Sequence, residues 1–155
     1  MKNYWLMKTE PAMYSIDHLK QEGKTQWDGV RNYQARNNMM GMKIGDLVLF
    51  YHSVTNPGIY GIARVCAAAH PDSTQFDLAN EHYDPKSKPE KPIWHCVDVE
   101  FVEIFKRPVL LMELKSDPRL EGMVARTRGS RLSVQPVTEE HFQYIRNVLS
   151  KKSVL

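Results

Sequence analysis

The sequence predicts an α+β fold in which several short helices pack around a mixed, mostly antiparallel β-barrel of about six strands. Three observations carry that expectation. Val97, Val99 and Phe101 alternate with Asp98 and Glu100, the period of a strand with one face in the core and one in water. Leu47 to Tyr51 is apolar without alternation, as a central strand buried on both faces would be. The strand-like runs are joined by turn signals such as Asn56-Pro57-Gly58, which favours hairpins over strand-helix-strand units.

The elements follow in order. Tyr4 to Lys8 reads as an aromatic-rich strand stopped by Pro11, and Ser15 caps a short helix that runs through Leu19 to a stop at Gly23. Tyr33 to Met40 predicts a second helix closed by Gly41, with Asn32 in position to cap it. Gly45-Asp46 turns into the 47–51 strand, and Ile59 to Ala68 returns as its hairpin partner. Asp84 to Pro92 holds three prolines and three lysines and predicts a flexible loop between strands. Pro108 should end the strand region that contains Val97. Val109 to Leu114 and Asp117-Pro118 predict helical turns, and Leu132 with Val134 marks a last strand. Thr138 caps a final helix with Glu139 and Glu140 at its positive end and Phe142, Ile145, Val148 and Leu149 on one apolar face.

A chain of 155 residues with 42% hydrophobic content can bury one good core, so residues 1–155 are expected to form a single domain. A formal charge of +3 is too small to argue nucleic-acid binding by bulk electrostatics, so any binding patch must be local. The N-terminal residues lack the pattern of a secretory signal, and no apolar run approaches the roughly 20 residues that cross a bilayer. Cys66 and Cys96 fit reduced thiols. A cytoplasmic monomer without membrane contact is the expectation. Cys66, His70, His82, His95 and Cys96 lack the paired spacing of a zinc site, and no phosphate-binding glycine loop or nucleophile elbow is present. No metal, cofactor or catalytic residue is assigned.

The most informative segment is Trp27 to Asn38, Trp-Asp-Gly-Val-Arg-Asn-Tyr-Gln-Ala-Arg-Asn-Asn. It concentrates indole, guanidinium, carboxamide and phenol groups, which stack on and hydrogen-bond to nucleobases. The bland alternative is a turn at Asp28-Gly29 leading into a capped helix with Arg36 merely solvated. A second polar segment, Arg128 to Val137, carries more hydrogen-bonding groups than a plain core strand needs, and the two are expected to face one cavity. Trp94, at the start of a strand, is read as packing.

Six motifs together resemble the EVE domain family: Tyr4-Trp-Leu-Met-Lys-Thr-Glu-Pro11, the Trp27 segment, Gly45-Asp-Leu-Val-Leu-Phe-Tyr-His-Ser53, Pro57-Gly-Ile-Tyr-Gly-Ile-Ala63, Tyr83-Asp-Pro-Lys86 and Arg128-Gly-Ser-Arg-Leu-Ser-Val-Gln-Pro136. The resemblance runs nearly end to end. It implies a PUA-like fold related to the YTH readers of methylated adenine, and a non-catalytic module that recognises a modified base, cytosine or adenine, in DNA or RNA. Arg31 stands where the YTH readers carry an aromatic after Gly-Val, which argues against a cage of three aromatics.

The candidate base pocket comprises Trp5, Glu10, Trp27, Val30, Asn32, Gln34, Asn37, Ser53, Ser133 and Gln135. Lys8, Arg31, Arg36, Arg128 and Arg131 are the candidate phosphate contacts, extended by Lys86, Lys88 and Lys91 of the loop. Burying one methyl gains only about 0.8 kcal/mol, whereas stacking one base supplies roughly 1–3 kcal/mol, so affinity must come mainly from stacking and phosphates. Two rivals stand beside this reading: a small nucleotide-processing hydrolase using Glu10 or His52 as a base, and a protein-interaction module.

Overall fold

The computed structural model describes residues 2–127 and 130–152. The elements are β1 (Tyr4–Thr9), α1 (Ile16–Glu22), β2 (Lys24–Gln26), α2 (Tyr33–Met40), β3 (Leu47–His52), β4 (Gly58–Pro71), β5 (His95–Leu110), α3 (Leu111–Ser116), β6 (Val134–Val137) and α4 (Glu139–Asn147), with short 3-10 turns between them. One six-stranded sheet runs in the order β2-β5-β4-β3-β1-β6. β1 and β3 pair in parallel, with Trp5 opposite Val48, and every other pair is antiparallel.

The pleat sorts the side chains into two cores. Trp5, Met7, Val48, Phe50, Ala63 and Val65 point to one face, where Ile16 and Leu19 of α1 and Ala35 and Met39 of α2 cover them. Leu6, Leu47, Leu49, Tyr51 and Ile62 point to the other, against Leu114, Leu120, Phe142, Ile145 and Leu149. β3 is buried along its whole length, which is why its sequence shows no polar alternation. Gly61 brings β4 tight against β5, since a Cβ there would run into the Glu103 carbonyl oxygen.

Helix ends follow local chemistry. Ser15 accepts from the His18 N–H, Asn32 from Ala35 and Thr138 from His141, each satisfying a donor that the first helical turn leaves open. Phe142, Ile145 and Leu149 are buried as their spacing predicts, but Val148 is exposed.

Three expectations are corrected. The sheet does not close into a barrel, because β2 and β6 are its edges and do not pair. α2 occupies the position where closure would occur: Asn38 Nδ2 donates to the Val134 carbonyl at 2.7 Å and Arg36 donates to the Ile93 carbonyl at 2.9 Å. A helix thus takes over an edge that a strand would otherwise pair. Pro108 does not end β5. The register with β4 jumps from Val109 opposite Ile59 to Ile104 opposite Gly61, so Pro108 falls in an irregular stretch where its missing N–H costs no ladder bond. The 84–92 loop is pinned from inside: Ser87 is buried, its hydroxyl donates to Gln75 Oε1, and it accepts from the Ile93 N–H. β2, short and polar, gives no hydrophobic signal and was not expected.

Among the described residues no helix is long and apolar enough to cross a membrane.

Candidate nucleic-acid interface

A cleft of about 1130 Å³ opens beside the start of α1. It is lined by Lys8, Thr9 and Glu10 at the end of β1, Met13 and Tyr14, the 25–31 segment, Ala79 to His82, and Ser133. The walls therefore come from both polar segments that the sequence singles out, and from a third that it does not.

Trp27 forms the floor. Its backbone N–H donates to the Val97 carbonyl at 2.9 Å, tying it to β5, and its ring meets Phe50 edge-on at 5.4 Å. Only 7% of the residue is exposed, so it belongs to the core and to the cleft at once. The other two indoles donate to carboxylates, Trp5 to Asp46 Oδ2 at 3.0 Å and Trp94 to Asp84 Oδ2 at 2.7 Å. Trp27 Nε1 has no acceptor among the described residues, yet it is not one of the buried atoms left unpaired. It is thus an indole donor that the described residues leave without a protein acceptor, on a residue that lines the cleft.

The 28–31 backbone is set by Asp72, a buried carboxylate 41 positions away from Arg31 in the chain. Asp72 accepts from the Gly29 N–H at 2.8 Å, the Thr74 N–H at 2.9 Å, the Thr74 hydroxyl at 2.5 Å and Arg31 at 3.2 Å. Burial alone would raise its pKa, but those hydrogen bonds outweigh burial and hold it below the usual carboxylate range. Gly29 has φ +82°, and a Cβ there would sit 2.7 Å from the His82 ring. Only glycine meets both demands.

Asp28, beside the floor, has its pKa raised, first by partial burial and then by the charge of Asp72, with His82 and Arg31 opposing. Lys8, half-buried, has its pKa lowered by burial; its ammonium donates to the Ser130 carbonyl at 3.2 Å and lies over Tyr51. Among the described residues, two of its three donors have no partner.

Of the expected base-pocket residues, Glu10, Trp27, Val30 and Ser133 line the cleft. Six do not. Trp5 is core, held by Asp46. Asn32 spends its side chain on the α2 cap. Gln34 is exposed on α2 away from the cleft, and Asn37 accepts two bonds from Arg36. Ser53 donates to the Thr9 carbonyl at 3.2 Å, and Gln135 is buried, donating to the Leu132 carbonyl at 2.6 Å. All but Gln34 fill a backbone or side-chain bond within the fold.

Among the expected phosphate contacts, Lys8 and Arg31 line the cleft. Arg31 has no donor left: its five N–H groups go to the His82 carbonyl twice, the Val30 carbonyl, Asp72 and Thr74. It is a wall brace. Arg36 lies off the cleft, its guanidinium carbon 4.9 Å from the Tyr33 centroid and 5.8 Å from the Trp94 centroid, with three of its donors engaged. Arg131 is exposed and outside the lining, and Arg128 lies outside the described residues. Lys86, Lys88 and Lys91 are exposed and do not line the cleft. Among the lining residues that the sequence did not assign to the site are Thr9, Met13, Tyr14, Asp28, Asn80, Glu81 and His82. The Asp72-x-Thr74 turn was the available signal for the brace.

The EVE domain family profile matches residues 3–148. Thymocyte nuclear protein 1 of Homo sapiens is 44% identical over 172 residues, covering 98% of this chain and 76% of that protein. The crystal structure of human THYN1 protein in complex with 5-methylcytosine containing DNA superposes with a TM-score of 0.92 at 43% identity, covering 99% of this chain and 100% of that one. A crystal structure of a Pseudomonas syringae protein gives 0.89 at 46% identity, covering 92% and 97%. The YTH domain of Zygosaccharomyces rouxii MRB1, solved with N6-methyladenosine RNA, shares the fold alone, with a TM-score of 0.58 at 14% identity over 99% and 88%. With its fold matched at that level and its sequence matched from end to end, the chain belongs to the EVE domain family.

Proposed function

We propose that this protein is a reader of modified bases: it takes one base of a nucleic-acid strand into the cleft over Trp27, and 5-methylcytosine in DNA is the leading ligand. The observation that carries the reading is the chemistry of the cleft. Trp27, whose indole N–H has no acceptor among the described residues, lines the cleft together with Glu10, Asp28 and Glu81. Carboxylates accept from exocyclic amines, which cytosine N4 and adenine N6 offer and thymine does not. The similarity to the human THYN1 protein solved with 5-methylcytosine DNA favours cytosine and DNA. Val30, Tyr14 and Met13 supply apolar wall for a ring and its methyl group.

The hydrolase alternative loses one of its bases. His52 Nε2 accepts from the Ile16 N–H at 3.1 Å, its ring stacks on Tyr60, and burial lowers its pKa. None of the relatives named above carries an enzyme's name.

With Arg31 fully engaged, the expected phosphate contacts left among the described residues are Lys8, Arg36 and Arg131. Affinity for a single strand containing 5-methylcytosine should fall with salt, with a slope equivalent to on the order of two to four phosphates. A flat response with measurable binding would point to a free nucleoside as ligand, and no binding at all would remove the reading.

The Asp28 carboxylate gives a second test. Its ionised form is the stronger acceptor for the cytosine amine, and its pKa lies above the ordinary range. Affinity should therefore fall as pH is lowered through that raised value, and Asp28→Asn should flatten this limb of the titration. An identical pH profile in the variant would exclude Asp28 from the contact.

A further inference from the structure

The cleft accounts for one base, but a stacking surface lies beside it unused. Tyr33 opens α2, two residues beyond the cleft wall at Arg31, and leaves 60% of its surface exposed. Its ring is stacked on Trp94 at 4.9 Å with 26° between the planes. Trp94 in turn lies beneath the Arg31 guanidinium at 5.3 Å, so cleft wall and exposed phenol share one indole as their support. That indole is itself fixed by its bond to Asp84.

Arg36 does not cap the phenol. Its guanidinium carbon is 4.9 Å from the Tyr33 centroid and 5.8 Å from the Trp94 centroid. A guanidinium on the outer face of Tyr33, in line with both rings, would lie about twice the ring spacing from Trp94. Arg36 therefore sits beside the pair, and the outer face of Tyr33 is not covered by it. Three of its five donors are bound to Asn37 and to the Ile93 carbonyl, which leaves two for an anion. An exposed aromatic face on a rigid indole, flanked by a cation with donors to spare, is the surface that single-stranded bases and their phosphates recognise.

We infer that Tyr33, backed by Trp94, stacks the base next to the one held in the cleft, with Arg36 against the phosphate between them. This rests on the reading of the cleft as a base pocket. It makes the protein a reader of at least two consecutive nucleotides, and the second is gripped by its π-face without regard to its identity. Adaptation to any flanking base follows from that.

The test is a cycle of two proteins and two strands. One single strand carries 5-methylcytosine between ordinary nucleotides, and the other carries it between abasic sites. The wild-type protein should bind the first about 5- to 150-fold more tightly, the range that one base–aromatic stack supplies. Tyr33→Ala should lose most of that difference while binding the abasic strand as before, and Tyr33→Phe should retain it. Tyr33→Leu, which still covers Trp94, should behave as Tyr33→Ala and guards against a folding defect. Equal wild-type affinity for the two strands, or an equal loss on both in the Tyr33 variants, overturns the platform. Failure of the pocket reading would look different: the wild type would not distinguish 5-methylcytosine from cytosine in either strand.

Discussion

Trp27→Ala is expected to lower stability by about 3–5 kcal/mol, the usual scale for truncating a buried large aromatic, and to abolish measurable preference for the modified strand. The stability loss follows from the packing of the indole on Phe50 and its place in the core with Ala35, Met39 and Val97. The binding loss follows from its place in the cleft lining, with an indole N–H that has no acceptor among the described residues. Trp27→Phe separates the two. It keeps much of the apolar volume, so denaturant titration should show a smaller loss, but it has no N–H, so affinity for the methylated and the unmethylated strand should both fall. Unchanged affinity in Trp27→Phe would make the indole a purely structural floor.

Asp72→Ala should be comparably damaging, at about 3–5 kcal/mol near neutral pH, because it strips a charge partner and four hydrogen bonds from one buried point. The Arg31 guanidinium and the Gly29 N–H lose their shared acceptor, and the cleft wall loses its brace. The effect has a pH signature. A carboxylate whose folded pKa is depressed adds stability that is complete above its unfolded value, about 3.9, and is lost as pH falls through the folded value. The gap between wild type and Asp72→Ala should therefore narrow steadily in acid. Urea melts across that range check it; a gap independent of pH would mean that the loss is one of packing rather than of charge.

What was legible in the sequence was local. Thr138 and Ser15 cap helices through bonds three residues away, and Leu47 to Tyr51 reveals a doubly covered strand in its own composition. Closure of the sheet was not legible, because it is decided by Asn38 of α2 meeting the Val134 carbonyl across 96 positions. Pro108 misled for the same reason, since the bulge that accommodates it exists only in the pairing of β4 with β5. At the cleft, Trp27, Val30, Glu10, Ser133 and Lys8 stood out as chemical types and do line it. Asn32, Asn37, Ser53 and Gln135 are of equally suitable type, but each is spent on the fold. A sequence lists donors and acceptors without saying which are already satisfied. Arg31 is the sharpest instance: a guanidinium in a nucleic-acid motif, with all five donors bound inside the protein.

We propose that the cleft over Trp27 senses a base modification. Competition between two single strands of identical sequence, one carrying 5-methylcytosine and the other cytosine at the same position, tests it most directly. Burial of the methyl group against Val30, Tyr14 and Met13 predicts tighter binding of the methylated strand by about fourfold, the equivalent of roughly 0.8 kcal/mol. Equal displacement by the two strands would contradict the account.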